Sequence, residues 1–190
     1  MNQITATEVP DRVKTKLFFD PTKLQKDVNQ QDLRAFVYYN VIPLTAPKRK
    51  PDIPANYDYA DGSWATWHDQ ETLRRGPYLT EVVNFFRQHA DVTLVRLLRL
   101  APGALVKEHT DPTLGIHIER SVIRLTVPIK TNDQVIFYLN KSVVPMKPGE
   151  CWYMNLADPH YIENHSQEER INLTIDMRPN EWVRSLINVT

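Results

Sequence analysis

A chain of 190 residues with 42% hydrophobic side chains can bury one full core and is short for two separate domains. Lysine and arginine together number 23, as do aspartate and glutamate, so no excess charge attracts nucleic acid or an anionic membrane. We therefore predict one domain, residues 1–190, that does not bind nucleic acid.

Cysteine content and hydrophobic runs indicate the compartment. Cys151 is the single cysteine, which excludes an intramolecular disulfide and fits a reducing compartment. The first residues lack a basic flank leading into an apolar run, and no apolar stretch approaches the roughly 20 residues that span a bilayer. We predict a soluble, cytoplasmic protein with no membrane partner.

The first half of the chain is predicted to contain helices and loops. Pro21 directly after Asp20 is typical of a helix start, and Leu24, Val28 and Leu33 would form one apolar face. This pattern predicts a short helix packed on a larger body.

A proline-rich segment follows, from Pro43 to Asp61, and its four prolines predict an exposed loop rather than regular helix or sheet. Trp64 comes next in a dense group of aromatic residues. Such groups are usually core, although a loop of this kind can also cover a small-molecule site.

The clearest amphipathic helix is predicted from Pro77 to His89, where apolar residues recur at helical spacing with polar residues between them. This apolar stripe is expected to face the core. Its members are Leu79, Val82, Val83, Phe85 and Phe86.

After residue 92 the pattern changes to short strands separated by turn signals. The predicted strands are Thr93 to Leu100, Ala104 to His109, Val122 to Ile129, Gln134 to Leu139, Ser142 to Met146, Cys151 to Met154, His160 to Asn164 and Arg170 to Met177. Together they predict a mainly β fold with flanking helices, a double-stranded β-helix of the jelly-roll or cupin type. Residues 93–177 would be its core and residues 1–92 an N-terminal helical and loop elaboration.

Two of these strands alternate strictly between apolar and polar side chains. Arg124 and Thr126 share the polar face of one strand, and Arg170, Asn172, Thr174 and Asp176 share that of the last strand. These faces either meet solvent, as antiparallel sheets allow, or line a polar barrel interior. In the second case a buried arginine requires an anionic partner, which a dicarboxylate ligand can supply.

A possible metal site is formed by His109 and Asp111, two positions apart, with His160 much further along the chain. This order matches the two-histidine, one-carboxylate facial triad of non-haem iron(II) oxygenases. The spacing alone is also compatible with a solvated loop that turns at Asp111 and Pro112.

Several further motifs occur in the same order as in a known family. They are Pro102-Gly103-x-x-Val106-x-x-His109-Thr110-Asp111, Arg124-x-x-x-Pro128, Gly149-Glu150-Cys151-Trp152 and His160-x-x-x-Asn164, with Arg170 and Asp176 behind them. Together they resemble the aspartyl/asparaginyl β-hydroxylase family of iron(II)- and 2-oxoglutarate-dependent dioxygenases. The resemblance covers roughly residues 92–176, with a looser match in the Pro77 helix.

The resemblance implies a set of site residues. His109, Asp111 and His160 would bind Fe(II), and Arg170 would bind the far carboxylate of 2-oxoglutarate. Thr126 stands where the family often has histidine; it and Asn172 would complete the co-substrate site. Arg124 would contact substrate. Apart from the resemblance, His117, Arg120 and Trp64 are candidate substrate contacts because they lie in loops, where substrate selection usually takes place.

The resemblance also implies an activity. Three protein ligands leave three octahedral positions, two for the keto acid and one for O2. The expected reaction hydroxylates a free, carrier-bound or peptidyl amino acid, of aspartate, asparagine or proline type, and releases succinate and CO2. The alternatives are a non-catalytic cupin-like binding module and a zinc hydrolase with the same ligands. The oligomeric state is left open.

Arg124 permits a further hypothesis about the substrate. With Arg170 assigned to the co-substrate, Arg124 is a second cation near the metal, and a buried cation is unfavourable without an anion. The substrate would then carry a carboxylate close to the oxidised carbon. The alternative is that Arg124 pairs with an internal acid such as Asp176.

Overall fold

Antiparallel strands dominate residues 9–31 and 39–188, the part of the chain that the computed structural model describes. The strands are β1 (Arg12–Phe18), β2 (Tyr39–Pro43), β3 (Thr45–Arg49), β4 (Ala65–Asp69), β5 (Val92–Leu100), β6 (Leu105–His109), β7 (Ile123–Lys130), β8 (Val135–Leu139), β9 (Ser142–Val144), β10 (Glu150–Met154), β11 (His160–Asn164) and β12 (Arg170–Met177). The helices are α1 (Pro21–Asn29), α2 (Glu71–Arg74), α3 (Pro77–Arg87) and α4 (Glu181–Leu186).

Two sheets form the barrel. The larger has the order β1-β10-β7-β12-β5-β2 and the smaller the order β6-β11-β8-β9, while β3 and β4 form a separate two-stranded sheet. An apolar cluster that includes Phe137 and Ile162 of the smaller sheet and Trp152 and Met154 of the larger one packs between them. The predicted fold, mainly β with a jelly-roll barrel, is confirmed, and all eight predicted strands are present.

Helices cover the other face of the larger sheet. Leu125 of β7 and Leu173 of β12 are fully buried in one cluster with Leu79 and Phe86 of α3. The first turn of α3 is held by the Asp27 carboxylate of α1, which accepts the amide hydrogens of Tyr78 and Leu79 at 2.7 and 2.8 Å. The predicted helix from Pro77 is confirmed and ends at Arg87.

Residues 1–92 were predicted to be a helical and loop elaboration, but they also contain strands β1 to β4. β1 pairs with β10 and β2 pairs with β5, so the N-terminal part supplies both edge strands of the larger sheet. Val13, Thr15 and Leu17 alternate with Lys14 and Lys16 in β1, a period-two signal that is typical of a strand. The helix predicted after Asp20 is present as α1, with Leu24 and Val28 buried; Leu33 lies outside the described residues.

The prediction that residues 43–61 contain no sheet is also wrong at their start. β3 pairs with β4, and Pro47 lies opposite Trp67 within that two-stranded sheet. A proline is tolerated there because a two-stranded sheet has only edge strands, which leave one side without ladder bonds.

Within residues 9–31 and 39–188, the helices are all too short or too polar to cross a membrane.

Candidate metal centre

The three predicted ligands converge at one end of the smaller sheet. His109 is the last residue of β6 and His160 the first of β11, and the two are directly paired across the strands. Their ring centroids are 4.2 Å apart. Asp111 lies in the loop after β6, where its amide donates to the Leu156 carbonyl at 2.8 Å. One ligand atom from each of the three side chains lies within 4.8 Å of the other two.

Hydrogen bonds to the main chain set the tautomer of both histidines. His109 Nδ1 lies 2.7 Å from the Lys107 carbonyl, and His160 Nδ1 lies 2.9 Å from the Asp158 carbonyl. Because a carbonyl only accepts, each Nδ1 carries the proton and each Nε2 keeps its lone pair for a metal. Two imidazole nitrogens and one carboxylate suit a divalent cation such as iron(II).

The ligands differ in exposure, which gives the site an inner and an outer side. His160 is only 4% exposed, and this desolvation lowers its pKa from the usual value, so the neutral ligand form dominates at neutral pH. His109 is exposed, and the Asp111 side chain is 36% exposed. A substrate can therefore approach from the side of His109 and Asp111.

A cavity of about 50 Å³ lies on the inner side of the three ligands. Its polar wall comes from alternate residues of β7 and β12: Arg124, Thr126, Arg170, Asn172 and Thr174. The polar faces of these strands therefore line an interior and do not meet solvent, which decides between the two alternatives left open by the sequence.

Arg170 is the deepest cation of this wall, at 3% exposure. Its guanidinium lies 6.0 Å from the Phe137 ring centroid, and Phe137 in turn stacks on His160. When the Asn172 amide is oriented so that both ends find partners, its oxygen accepts a hydrogen bond from Arg170. Arg170, Asn172 and Thr126 thus share the cavity with the metal ligands, as predicted; their role in binding 2-oxoglutarate stays a prediction.

Arg124 already has an internal anion. Its Nε donates to Asp176 Oδ1 at 2.7 Å and its Nη2 to Asp176 Oδ2 at 2.8 Å, a bidentate pair in which Asp176 is 3% exposed. The premise that Arg124 requires a substrate carboxylate is therefore wrong, and the alternative of pairing with Asp176 is the one observed.

The other predicted substrate contacts lie away from the cavity lining. His117 is exposed, and the exposed Arg120 lies over the Tyr59 ring, 3.9 Å from its centroid. Trp64 is half-buried beneath the Arg49 guanidinium. Aromatic density and closeness in sequence to Asp111 suggested these residues, but neither signal determines where a loop folds.

Sequence reasoning missed the apolar wall of the cavity. Leu98, Phe137, Leu156 and Ile162 line it beside the ligands. Leu98 could have been found from its even spacing with Leu100 on β5, but Phe137 and Ile162 depend on how the smaller sheet folds over.

A wider groove of about 660 Å³ lies elsewhere on the surface, open to solvent. Its arginines are neutralised by adjacent acids: Arg74 pairs with Glu71, Arg87 with Asp69 and Arg178 with Asp91. The only group of side chains in the described residues that could hold a metal ion lines the smaller cavity, so that cavity is the candidate site.

Sequence comparison agrees with this geometry. A profile of the aspartyl/asparaginyl β-hydroxylase family matches residues 52–179, which include all three ligands and the polar cavity wall. The chain belongs to the aspartyl/asparaginyl β-hydroxylase family. The resemblance seen in the motifs is thereby confirmed.

Two curated relatives are similar over part of their length. L-proline cis-4-hydroxylase of Rhizobium meliloti (strain 1021) is 24% identical over 111 residues, which is 58% of this chain and 39% of that protein. L-proline cis-3-hydroxylase 2 of Streptomyces sp is 29% identical over 103 residues, which is 53% of this chain and 34% of that protein. The matched regions thus cover well under half of either relative.

A solved structure supports the fold. An oxidoreductase of the 2OG-Fe(II) oxygenase family from Burkholderia pseudomallei superposes with a TM-score of 0.57 at 11% identity, covering 90% of this chain and 85% of that one. This neighbour shares the barrel fold with the present chain.

Proposed function

We propose that this chain is an Fe(II)- and 2-oxoglutarate-dependent dioxygenase that hydroxylates an unactivated C–H bond of an amino acid and releases succinate and CO2. One observation carries the proposal: the group His109, Asp111 and His160 opens into the same small cavity as the buried Arg170. A structural metal site has no need of a buried guanidinium on its inner side.

The ligand group supports the metal part of the proposal. With Nδ1 of both histidines donating to carbonyls, His109 and His160 would hold iron through Nε2, and Asp111 would complete the set with a carboxylate oxygen. Bound iron would supply the activation of O2 that couples oxidation of 2-oxoglutarate to oxidation of the substrate. Three protein ligands would leave positions on iron open for the co-substrate.

The inner wall supports the co-substrate part. Arg170 would donate to the distal carboxylate of 2-oxoglutarate, and Thr126 and Asn172 would hydrogen-bond it from neighbouring strands. Thr126 lies directly opposite Thr174 across β7 and β12. In place of the family histidine, its hydroxyl offers a hydrogen bond without adding charge. The apolar residues around them, Phe137 among them, would exclude water from the reacting atoms.

The substrate would enter from the exposed side of His109 and Asp111. The two curated relatives are named as hydroxylases of L-proline, which supports a small amino acid as substrate, free, carrier-bound or at an accessible position of a peptide. The exposed loop residues His117 and Arg120 follow Asp111 in the chain and would contact a substrate only if their loop closes over it.

The test is a turnover assay. Purified chain with Fe(II), ascorbate and 2-oxoglutarate is offered each amino acid in turn, with L-proline first, and succinate and hydroxylated product are measured together. We expect equal amounts of the two for at least one substrate. Metal binding without succinate formation, with any amino acid or peptide, would support a cupin-like binding module instead. Hydrolysis with zinc and no need for O2 would indicate a hydrolase.

A further inference from the structure

Arg124 contacts two carboxylates, one in the sheet and one that is a predicted metal ligand. We propose that Arg124 and Asp176 are positioning residues that hold the Asp111 carboxylate in place for the metal, and that Arg124 is not the anchor of a substrate carboxylate. The inference rests on the proposed function, because it concerns how the ligand set of that site is held.

The guanidinium geometry carries the first step. Nε and Nη2 of Arg124 are both bound by Asp176, at 2.7 and 2.8 Å, which fixes the plane of the rigid fork. Its remaining nitrogen, Nη1, then points at Asp111 Oδ2, 3.5 Å away. All three nitrogens of Arg124 thus face the two internal carboxylates.

Asp176 is itself held rigidly by its surroundings. It is 3% exposed and lies directly opposite Arg124 across β12 and β7, the centre of the larger sheet. On the other side, Arg96 of β5 also donates to Asp176 Oδ2, at 3.4 Å. The carboxylate is therefore held from both neighbouring strands.

Asp111 is the least constrained of the three predicted ligands. His109 and His160 belong to paired strands, whereas Asp111 lies in the loop after β6 with a side chain that is 36% exposed. Its backbone is fixed by the bond to Leu156, but that bond leaves the carboxylate able to rotate. The contact with Arg124 joins this loop carboxylate to the interior of the sheet.

Asp176 also limits how strongly Arg124 attracts Asp111. If the charge of Asp176 were removed, the positive charge of Arg124 would no longer be neutralised by Asp176. Arg124 would then attract the Asp111 carboxylate more strongly and compete with the metal for it. If both charges were removed, Asp111 would lose its support. Partners of metal ligands typically change metal affinity by about 10- to 100-fold, so both changes are expected to weaken the metal by that factor.

The experiment measures metal affinity in the absence of turnover. Co(II) is titrated into the whole chain and followed by its visible absorption, in the parent protein, in Asp176→Asn and in the double variant Arg124→Met with Asp176→Leu. The double variant replaces a buried pair by apolar side chains of similar volume, a change that proteins often tolerate. Thermal unfolding confirms that each variant is folded.

Asp69→Asn is the matched control. Asp69 also forms a bidentate pair with an arginine, Arg87, but in the open groove away from the ligands. We expect unchanged cobalt affinity in this variant. We expect affinity about 10- to 100-fold weaker in the two site variants, with an altered absorption band because the carboxylate is displaced.

The outcomes separate this inference from the proposed function. Parent-like cobalt affinity in the folded double variant would overturn the positioning role, whether or not Asp176→Asn folds. If the KM for the substrate also rose while the KM for 2-oxoglutarate stayed unchanged, Arg124 would be a substrate anchor. A parent chain that binds neither Co(II) nor Fe(II) would instead refute the proposed function.

Discussion

The two faces of strands β7 and β12 have different roles. On one face Leu125 and Leu173 are fully buried against the helices. On the other face Thr126 and Arg170 line the cavity beside the metal ligands. Because neighbouring residues in a strand point to opposite faces, Thr126, Asn172 and Thr174 each stand between two core residues. The comparison teaches that the packed face supplies the rigidity that the polar face needs for its geometry.

Removing a metal ligand should have the largest effect on the polar face and little on the other. His160→Ala is expected to reduce iron-dependent turnover by more than about 100-fold, more than loss of a supporting residue, while the unfolding temperature of the metal-free chain changes little. His165→Ala is the control, since His165 is 60% exposed and pairs with Glu163. Full activity in His160→Ala and none in His165→Ala would show that the ligand assignment is wrong.

A large-to-small change on the packed face should do the opposite. Leu173→Ala leaves a cavity at a fully buried position and is expected to reduce the free energy of unfolding by about 2–5 kcal/mol. Denaturant unfolding measures that loss, and the KM for 2-oxoglutarate, taken well below the melting temperature, should stay within about twofold of the parent, below 0.5 kcal/mol. A steep rise in that KM would mean that the two faces are not separable.

Arg170→Gln tests the polar face of the same strand at a single side chain. Loss of a charge-assisted bond to a carboxylate corresponds to about 1.5–3 kcal/mol, so the KM for 2-oxoglutarate should rise roughly ten- to hundredfold. Arg87→Gln, in the open groove, is the control and should leave that KM unchanged. An unaltered KM in Arg170→Gln would remove Arg170 from the co-substrate site.

The sequence predicted what depends on local periodicity and on ordered motifs. The alternation in β7 and β12 placed Thr126 and Arg170 on one face, and the motif order brought His109 and His160 together. Pairing across the sheet could not be read in this way. Asp176 was named as one alternative partner of Arg124, but only the register of β12 against β7 puts them opposite each other.

Segments whose position depends on long-range packing were predicted least well. Arg120 was expected beside the substrate because its loop follows a ligand, yet its guanidinium lies over the ring of Tyr59, in the exposed loop predicted from Pro43 to Asp61. Similarly, Trp64 packs beneath Arg49 because β3 and β4 pair with each other. In both cases the residue type indicated a side chain that makes specific contacts. Which partner it contacts depends on how segments distant in sequence pack together.

The position of His109 links the ligand group to the dynamics of an edge strand. β6 is the outermost strand of the smaller sheet, most of its side chains are exposed, and it is bonded only to β11 within that sheet. A metal held by both His109 and His160 would join these two strands beyond their backbone hydrogen bonds. Amide hydrogens of β6 should therefore exchange with solvent more slowly when the site is filled, so that local opening of this strand reports metal occupancy.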